Sequence, residues 1–467
     1  MPLITSHVKV LQTIKAHTSD INCIEFWGNH LLFTGSSDKT VRVWRWNVGK
    51  GFVEEVFSPL LGHKYGVTCV RVSPQGGVLA SASVDGTVIL WDVNDGSKTN
   101  VLSQENGESI RQCAFSPDGS TIVSSDDSGT VCIWGQNKNI VRLIRCHEEA
   151  VHAISFSPDS NILLTGCTLG NIRMHYADVG NENMAVINDA SCYIDSAHDL
   201  GVLSADFCKF IHIDPSDNKT SIYTVATCGT DHLIKIWRIF CLVDAVHMGS
   251  KTRLVPSTPQ EHECGNSVIL STETMNAECV MVIPAHGSSV NCVRYNRLGT
   301  MLVSASLDKT LKLWDIQGNC LKTLAEHSRY VNTVSCNADS TIIASGSNDR
   351  TVIIWDLTGK HTLDSSMIEA SSALFSLASN HVDIPLEFIC PITHEMMGNP
   401  VVAADAFTYE KSAIIEWFDR GNNTSPMTNI ELSSTDLSEN DDLKARIEEY
   451  LKSLDFGSFS APDLLNL

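Results

Sequence analysis

The chain has 467 residues, which is too long for one ordinary domain unless repeats occupy much of it. Its hydrophobic fraction of 43% can build a core, and its net charge of -21 argues against nucleic acid or an anionic membrane as the main partner. Residues 1–20 show no basic segment before an apolar run, and no stretch approaches about 18 consecutive apolar residues. We therefore expect no signal peptide, no membrane span and an intracellular location, in the cytoplasm, with the nucleus left open.

The first predicted element is a strand within HVKVLQTIKAH, residues 7–17. It lies ahead of a series of repeats, and a closed ring of repeats must hide its end strands. We expect this strand to become the outer strand of the last repeat, whose inner strands end near Leu357. The two ends of the ring would then be fastened together.

The repeats fill residues 1–360. Clear copies read SSDKTVRVW, SVDGTVILW, SLDKTLKLW and SNDRTVIIW, each a tight turn followed by a strand of alternating apolar residues. Looser copies are GTVCIW and DHLIKIW, and in the degraded copy GNIRMHY a histidine replaces the tryptophan. The seven copies have their marker residue at Trp44, Trp91, Trp134, His175, Trp237, Trp314 and Trp355.

Three polar positions recur with the marker residue. A hydroxyl stands ten residues before each marker, at Thr34, Ser81, Ser124, Thr165, Thr227, Ser304 and Ser345. Six residues before the marker stand Asp38, Asp85, Ser128, Leu169, Asp231, Asp308 and Asp349. Further upstream stand His17, His63, Asn106, His147, His198, His286 and His327, with Asn106 taking the histidine place in the third repeat.

The period, the recurring polar set and the Trp-Asp pairs at 91–92, 314–315 and 355–356 resemble WD repeats. The resemblance implies a mainly β fold with a seven-bladed propeller. It also implies a relay in which the turn Asp accepts from the His, the His bonds the Ser or Thr, and that hydroxyl meets the Trp indole. Full relays are expected at His17–Asp38, His63–Asp85, His198–Asp231, His286–Asp308 and His327–Asp349. Because the set recurs once per blade, a structural role is favoured over a hydrolase site.

The 16 cysteines are scattered and form no C-x-x-C pair. Cys23, Cys69 and Cys292 each follow a repeated histidine by six residues, which predicts equivalent buried strand positions. A disulfide framework is the alternative, and it is unusual in a large chain without a signal peptide.

Two regions interrupt the pattern of repeats. Residues 240–283 are rich in turn-forming and polar residues, which predicts a mobile loop between the fifth and sixth blades. Residues 361–383 are rich in Ser and Ala and are predicted to form a linker, followed by a second domain over 384–456 and a tail over 457–467.

The second domain contains IPLEFICPIT, DAFTYEKSAIIEW and TSPMTN, in that order. Only Cys390 and His394 could bind zinc there, whereas a structural zinc site needs four ligands. Helices are predicted over Glu410–Asp419 and Asp441–Leu454, the second with an acidic first turn and an apolar stripe. The expected core consists of Phe388, Ile389, Val401, Tyr409, Ile414 and Leu432.

These three motifs resemble the U-box, a small α+β domain related to the RING finger. The resemblance implies that hydrogen-bond networks replace zinc, so we expect no metal and no other cofactor. The candidate network residues near the two loops are Asp405, Tyr409, Glu410, Ser425, Thr428 and Asn429.

The U-box resemblance also implies a groove that docks a ubiquitin-conjugating enzyme. Carried over by position, Ile392 is the first-loop anchor, Trp417 the helix anchor and Pro426 the second-loop anchor, with His394 as a neighbour. The alternative is that these residues belong to the core, most of all Trp417.

A propeller followed by a U-box resembles the WD repeat, SAM and U-box domain-containing protein family. One departure is that 23 linker residues cannot hold the helical SAM domain that this family carries between the two. The resemblance implies a ubiquitin ligase without a covalent nucleophile, whose partners are a conjugating enzyme charged with ubiquitin and an unknown protein substrate on the propeller.

The alternative is a pure interaction scaffold with an inactive U-box-like end. Two sequence departures favour it: Gly398–Pro400 lacks the acidic residue that commonly precedes the Pro, and SPMTNIELSSTDL offers no Lys or Arg.

Overall fold

The computed structural model divides into two compact units, residues 1–368 and 369–467. The residues that it describes are 8–104, 107–135, 137–177, 185–187, 190–217, 219–242, 260–264, 267–271, 275–361, 363, 388, 390, 397–405, 407–419, 424–425, 432 and 434–453.

The first unit consists of seven mainly antiparallel sheets, called blades one to seven in chain order. Blade one contains β2 (Ile21–Trp27), β3 (Leu31–Ser36), β4 (Thr40–Asn47), β5 (Gly51–Glu54) and β6 (Leu60–Leu61). Blade two contains β7 (Val67–Val72), β8 (Val78–Ser83), β9 (Thr87–Asp92) and β10 (Lys98–Ser103). Blade three contains β11 (Ile110–Phe115), β12 (Ile122–Asp126), β13 (Val131–Trp134) and β14 (Ile140–Ile144), with β18 (Ala185–Ile187) parallel to β14.

Blade four contains β15 (Val151–Phe156), β16 (Ile162–Cys167), β17 (Ile172–Tyr176) and β19 (Cys192–Asp195), extended by β25 (Ser267–Ser271) and β24 (Gln260–Cys264). Blade five contains β20 (Val202–Phe207), β22 (Thr220–Gly229), β23 (Leu233–Leu242) and β26 (Met275–Pro284), with the short β21 (His212–Ile213). Blade six contains β27 (Val290–Tyr295), β28 (Met301–Ser306), β29 (Leu311–Asp315) and β30 (Cys320–Leu324). Blade seven contains β31 (Val331–Cys336), β32 (Ile342–Ser347), β33 (Thr351–Asp356) and β1 (Lys9–Lys15).

The blades close into a ring. One strand of each blade contacts the corresponding strand of the next blade, in the order β2, β7, β11, β15, β20, β27 and β31. The ring closes because β31 of blade seven contacts β2 of blade one. β1 pairs antiparallel with β33, with Lys15 opposite Thr351 and Val10 opposite Trp355. The mainly β, seven-bladed propeller is therefore confirmed, as is the fastening of the ring by strands from its two ends.

The propeller buries its apolar side chains between neighbouring blades. Between blades seven and one, for example, Ile14, Ile24, Trp44, Ile342 and Ile354 form one cluster. Cys23, Cys69 and Cys292 are buried at equivalent positions on β2, β7 and β27, as predicted. None of these three cysteines forms a disulfide.

The interval 240–283 differs from the predicted loop. Residues 240–242 complete β23. Strands β24 and β25 form a hairpin that extends blade four, and β26 is the outer strand of blade five. The physical reason lies in the alternation of MNAECVMVIP, in which Met275 and Ala277 are buried against the blade-five core. Residues 243–259, 265–266 and 272–274 lie outside the described residues.

The second unit has one small sheet and two helices. The sheet has the order β35 (Thr408–Glu410), β34 (Pro400–Val402) and β36 (Ser438–Glu439). Helix α1 spans Lys411–Asp419 and helix α2 spans Asp441–Ser453, within one residue of the predicted bounds. The Asn440 side chain caps α2 by accepting from the Leu443 amide at 3.1 Å.

The core of the second unit includes four of the predicted side chains, Phe388, Val401, Tyr409 and Ile414, together with Cys390, Met397, Leu443 and Ile447. Leu432 is only partly buried, and Ile389 lies outside the described residues. Among the helices described, none is long and apolar enough to cross a membrane.

Candidate functional site

The polar relay of the propeller is complete in five blades. In blade six, His286 Nδ1 lies 2.8 Å from Asp308 Oδ2, and His286 Nε2 lies 2.7 Å from Ser304 Oγ. Trp314 Nε1 donates to the same hydroxyl at 2.8 Å. The other four His–Asp distances are 2.9 Å for His17–Asp38, 3.0 Å for His63–Asp85, 2.9 Å for His198–Asp231 and 2.9 Å for His327–Asp349.

Electrostatics keep His286 of the blade-six relay neutral. Burial lowers the pKa of His286 below its ordinary value, and the Asp308 carboxylate only partly offsets this effect. Burial would raise the pKa of Asp308, but hydrogen bonds from Thr310 and the neighbouring His286 outweigh it, so that pKa is lowered. The imidazole therefore donates from Nδ1 to an ionised carboxylate and accepts the hydroxyl proton at Nε2. Every polar atom is engaged, which fits a structural role and leaves no free base for chemistry.

Blade three builds its relay from a residue that the sequence spacing does not indicate. Gln104 Nε2 lies 3.0 Å from Ser124 Oγ, which also accepts from Trp134 Nε1 at 2.9 Å. Asn106, the predicted histidine substitute, lies outside the described residues. The sequence pattern does not indicate Gln104 because this residue stands 30 residues before Trp134, whereas the histidine stands 28 residues before the marker in blades two, four, six and seven.

Blade four has an incomplete relay. His147 Nε2 lies 2.8 Å from Thr165 Oγ1, but the turn position holds Leu169 in place of an aspartate. His147 Nδ1 is buried without a hydrogen-bond partner among the described residues, and burial lowers the pKa of His147 to about 3. His175 fills the tryptophan place and lies 3.2 Å from Cys146 Sγ.

Glu410 holds both ends of the first loop of the U-box-like unit. Its Oε2 accepts from the Gly398 amide at 2.7 Å and from the Asn399 amide at 2.9 Å. Its own amide donates to Cys390 Sγ at 3.2 Å. The first loop is the stretch 391–397 between Cys390 and Gly398. Glu410 therefore fixes the points where this loop begins and ends.

The second loop is held by a separate set of bonds. Tyr409 donates to Asp405 Oδ2 at 2.8 Å, and the buried Ser425 side chain also bonds Asp405. Burial would raise the pKa of Asp405, but the bonds from Ser425 and Tyr409 outweigh it and hold the pKa below its ordinary value. Trp417 Nε1 donates to the Thr424 carbonyl at 2.9 Å, so helix α1 also holds this loop.

The anchors predicted for docking are only partly described. Trp417 is partly buried against the core, with its indole N–H used inside the domain. Ile392, His394, Pro426, Thr428 and Asn429 lie outside the described residues. Within the described part of the chain, no group of three or more His, Cys, Asp or Glu side chains could hold a metal ion. A metal-free domain stays a prediction.

Known families match both parts of the chain. The U-box domain matches residues 384–455. The family of the WD domain, G-beta repeat, matches six segments, 8–45, 54–92, 96–135, 138–175, 277–315 and 318–356.

Relatives match over nearly the whole chain. WD repeat, SAM and U-box domain-containing protein 1 of Homo sapiens is 33% identical over 515 residues, which cover 96% of this chain and 99% of that protein. The Gallus gallus protein of the same name is 32% identical over 518 residues, covering 95% and 99%. U-box domain-containing protein 36 of Arabidopsis thaliana is 54% identical over 74 residues, or 16% of this chain and 17% of its own length. The chain therefore belongs to the WD repeat, SAM and U-box domain-containing protein family.

Proposed function

We propose that this protein is a ubiquitin ligase whose U-box docks a ubiquitin-conjugating enzyme while the propeller holds a protein substrate. The family relationship supports a ligase type of function. Docking, transfer and substrate recruitment by this chain are the proposal. We also propose that it acts inside the cell and needs no metal.

The observation that carries the proposal is the two sets of hydrogen bonds that hold the described ends of the two loops. Glu410 holds the first loop at both ends, while Asp405, Ser425 and Trp417 hold the second. Loops held on a small rigid core present fixed side chains to a partner without a metal. By the U-box resemblance, Ile392 is the first-loop anchor, Pro426 the second-loop anchor and Trp417 the helix anchor, with His394 as a neighbour.

The chemistry requires no nucleophile on this chain. A substrate lysine amine attacks the thioester carbonyl on the conjugating enzyme, a C–N bond forms, the C–S bond breaks and the thiol leaves. The ligase supplies proximity and orientation, which lower the barrier without covalent participation. Cys390 fits this scheme as a structural residue because it is buried and its Sγ accepts the Glu410 amide.

A scaffold without activity is the second candidate. It is favoured by residues 398–400, which lack the common acidic residue before the Pro, and by the stretch 425–437, which offers no Lys or Arg. An autoubiquitination assay of the full chain with a panel of conjugating enzymes separates the two. Ubiquitin on the chain with at least one enzyme supports the ligase, and its absence with the whole panel supports the scaffold.

A further inference from the structure

One face of the propeller is formed by seven turns and seven loops. In every blade, a turn amide donates to the carbonyl at the end of the loop before the first strand, as in Ser37 N to Asp20 O at 2.9 Å and Asn348 N to Tyr330 O at 3.0 Å. We call this surface the turn face. It contains the loops 18–20, 64–66, 107–109, 148–150, 199–201, 287–289 and 328–330 and the turns 37–39, 84–86, 127–129, 168–170, 230–232, 307–309 and 348–350.

The charges on the turn face are divided between two halves. Blades six, seven, one and two contribute five exposed cations, Lys309, Arg329, Arg350, Lys39 and Lys64. Blades three to five contribute the acids Glu108, Asp127, Glu148, Glu149 and Asp199. The exposed Lys and Arg side chains of the turn face thus all lie in one half, which we call the cationic half. Besides the relay aspartates, the acids near the cationic half are Asp20 and Glu326.

The relay aspartates beneath this half are ionised, and their carboxylates are held by hydrogen bonds inside the propeller. The Asp308 carboxylate, for example, accepts from His286, from the Gly287 amide and from the Thr310 amide and hydroxyl. Its side chain is 20% exposed, and those of Asp38 and Asp349 are 8% and 9% exposed. The groups that reach into solvent are therefore mainly the ammonium and guanidinium heads.

Three of the cations stand in a backbone conformation that their residue types rarely adopt. The φ angles are 76° at Lys39, 73° at Lys309 and 70° at Arg350. The same turn position in blade two holds Gly86 with φ 78°, so glycine serves there without strain. The turn geometry alone therefore does not call for a long cationic side chain at these three positions.

Two exposed tyrosines lie among the cations. Tyr65 is 59% exposed in the blade-two loop, and Tyr330 is 48% exposed in the blade-seven loop, on either side of blade one. Tyrosine and arginine are among the residue types that most often anchor protein interfaces. A polar surface with two aromatic side chains fits an extended protein segment that carries both charge and apolar groups.

We propose that the cationic half of the turn face binds an acidic segment of a protein, with Asp or Glu side chains spaced around an apolar residue. This inference rests on the proposed role of the propeller in holding the substrate. A protein segment is favoured over nucleic acid because the acidic half lies on the same face and would repel a longer polyanion.

The test uses the full chain and an array of random 12-residue peptides. The variant K39G/K309G/R350G removes three charges and leaves a residue that adopts positive φ freely, so folding should be preserved. The matched control is E148Q/E149Q, which neutralises exposed acids in blade four. Peptides bound by the wild type should be enriched in Asp and Glu, and the triple variant should bind them about tenfold more weakly because each exposed ion pair is worth a few-fold. The control should bind them at least as well as the wild type.

Three results would overturn the inference: no acid enrichment among bound peptides, unchanged binding by the triple variant, or binding of a single-stranded RNA in preference to peptides. The difference in peptide affinity between the wild type and the triple variant should also shrink as salt is raised from about 50 to 500 mM, because screening weakens exposed ion pairs. Ubiquitin discharge to free lysine needs no substrate on the propeller. It should be the same for wild type and triple variant, so failure of the ligase function is separated from failure of this site.

Discussion

The Asp308 carboxylate of blade six accepts four hydrogen bonds, from His286 Nδ1, the Gly287 amide and the Thr310 amide and hydroxyl. Asp308→Ala removes the short acceptor of the His286 Nδ1–H and leaves only Thr310 Oγ1, 3.3 Å away, beside an imidazole that is fully buried. A buried donor left unpaired costs about 1–3 kcal/mol. The two backbone amides lie near solvent and can bond water, so we expect a loss of about 2 kcal/mol in the free energy of opening blade six.

Ser128→Ala in blade three is the matched control. Ser128 occupies the same turn position, but its Oγ bonds only local groups, Asp126 at 2.7 Å and Thr130 at 3.0 Å, and no histidine depends on it. Asp126 keeps bonds from the Ser128 and Thr130 amides. We expect a change within about 0.5 kcal/mol. Leu169→Asp gives the opposite test, since it offers His147 Nδ1 an acceptor and should stabilise blade four by about 1 kcal/mol.

The assay is native-state hydrogen exchange resolved by peptide, because a chain with two compact units need not unfold in one step. Faster exchange in β27–β30 for Asp308→Ala, with little change in β11–β14 for Ser128→Ala, is the expected result. Equal losses for the two variants would refute the relay assignment.

Three further predictions concern acid, metal and the first loop. Folded His147 takes up a proton near pH 3, whereas the unfolded residue does so near its ordinary 6.5, so acid favours unfolding as the pH falls from 6.5 towards 3. His147→Gln, which copies Gln104 of blade three, should therefore lose about 2 kcal/mol less stability than the wild type between about pH 7 and 5 in urea titrations; equal losses would contradict the lowered pKa. Native mass spectrometry should detect no zinc on the U-box unit, and a chelator should leave its melting temperature unchanged; bound zinc or a lower melting temperature would show that a metal holds the loops. Glu410→Ala should destabilise the U-box by about 1–3 kcal/mol because two loop amides lose their acceptor, while Glu439→Ala, which breaks only an exposed pair with Lys411, should cause no measurable change; similar unfolding curves would contradict the role of Glu410.

The propeller could be predicted from sequence because one relay and one strand pattern recur with nearly fixed spacing. Each of the six tryptophan markers donates to the hydroxyl ten residues before it, as Trp314 does to Ser304, whereas His175 contacts Cys146. Gln104 escaped prediction because a loop of different length carries it to the same place. The strands within 240–283 escaped because turn-forming residues around the hairpin concealed the alternation of β26.

The U-box unit could be predicted as a domain and in its residue set, but its individual bonds could not. Asp405, Tyr409, Glu410 and Ser425 were expected near two loops, and the observed bonds lie there. The bond from the Glu410 amide to Cys390 Sγ joins residues 20 apart in sequence. Such a pair depends on how α1 and β35 bring the chain back to the first loop, which no local pattern encodes.

The most direct test of the ligase account is the rate at which a charged conjugating enzyme discharges ubiquitin to free lysine. The full wild-type chain should raise this rate with at least one conjugating enzyme. Ile392→Ala and Pro426→Ala should each lower it by about thirtyfold, since loss of an interface anchor costs about 2 kcal/mol. Trp417→Ala is a poorer variant because the ring also packs on the core and holds Thr424.

Circular dichroism of each variant supplies the folding control. We expect both loop variants to be folded and to have lost ubiquitin discharge. Folded Ile392→Ala and Pro426→Ala variants with the wild-type rate would contradict the docking site, and a wild-type chain inert with every conjugating enzyme would contradict the ligase function itself.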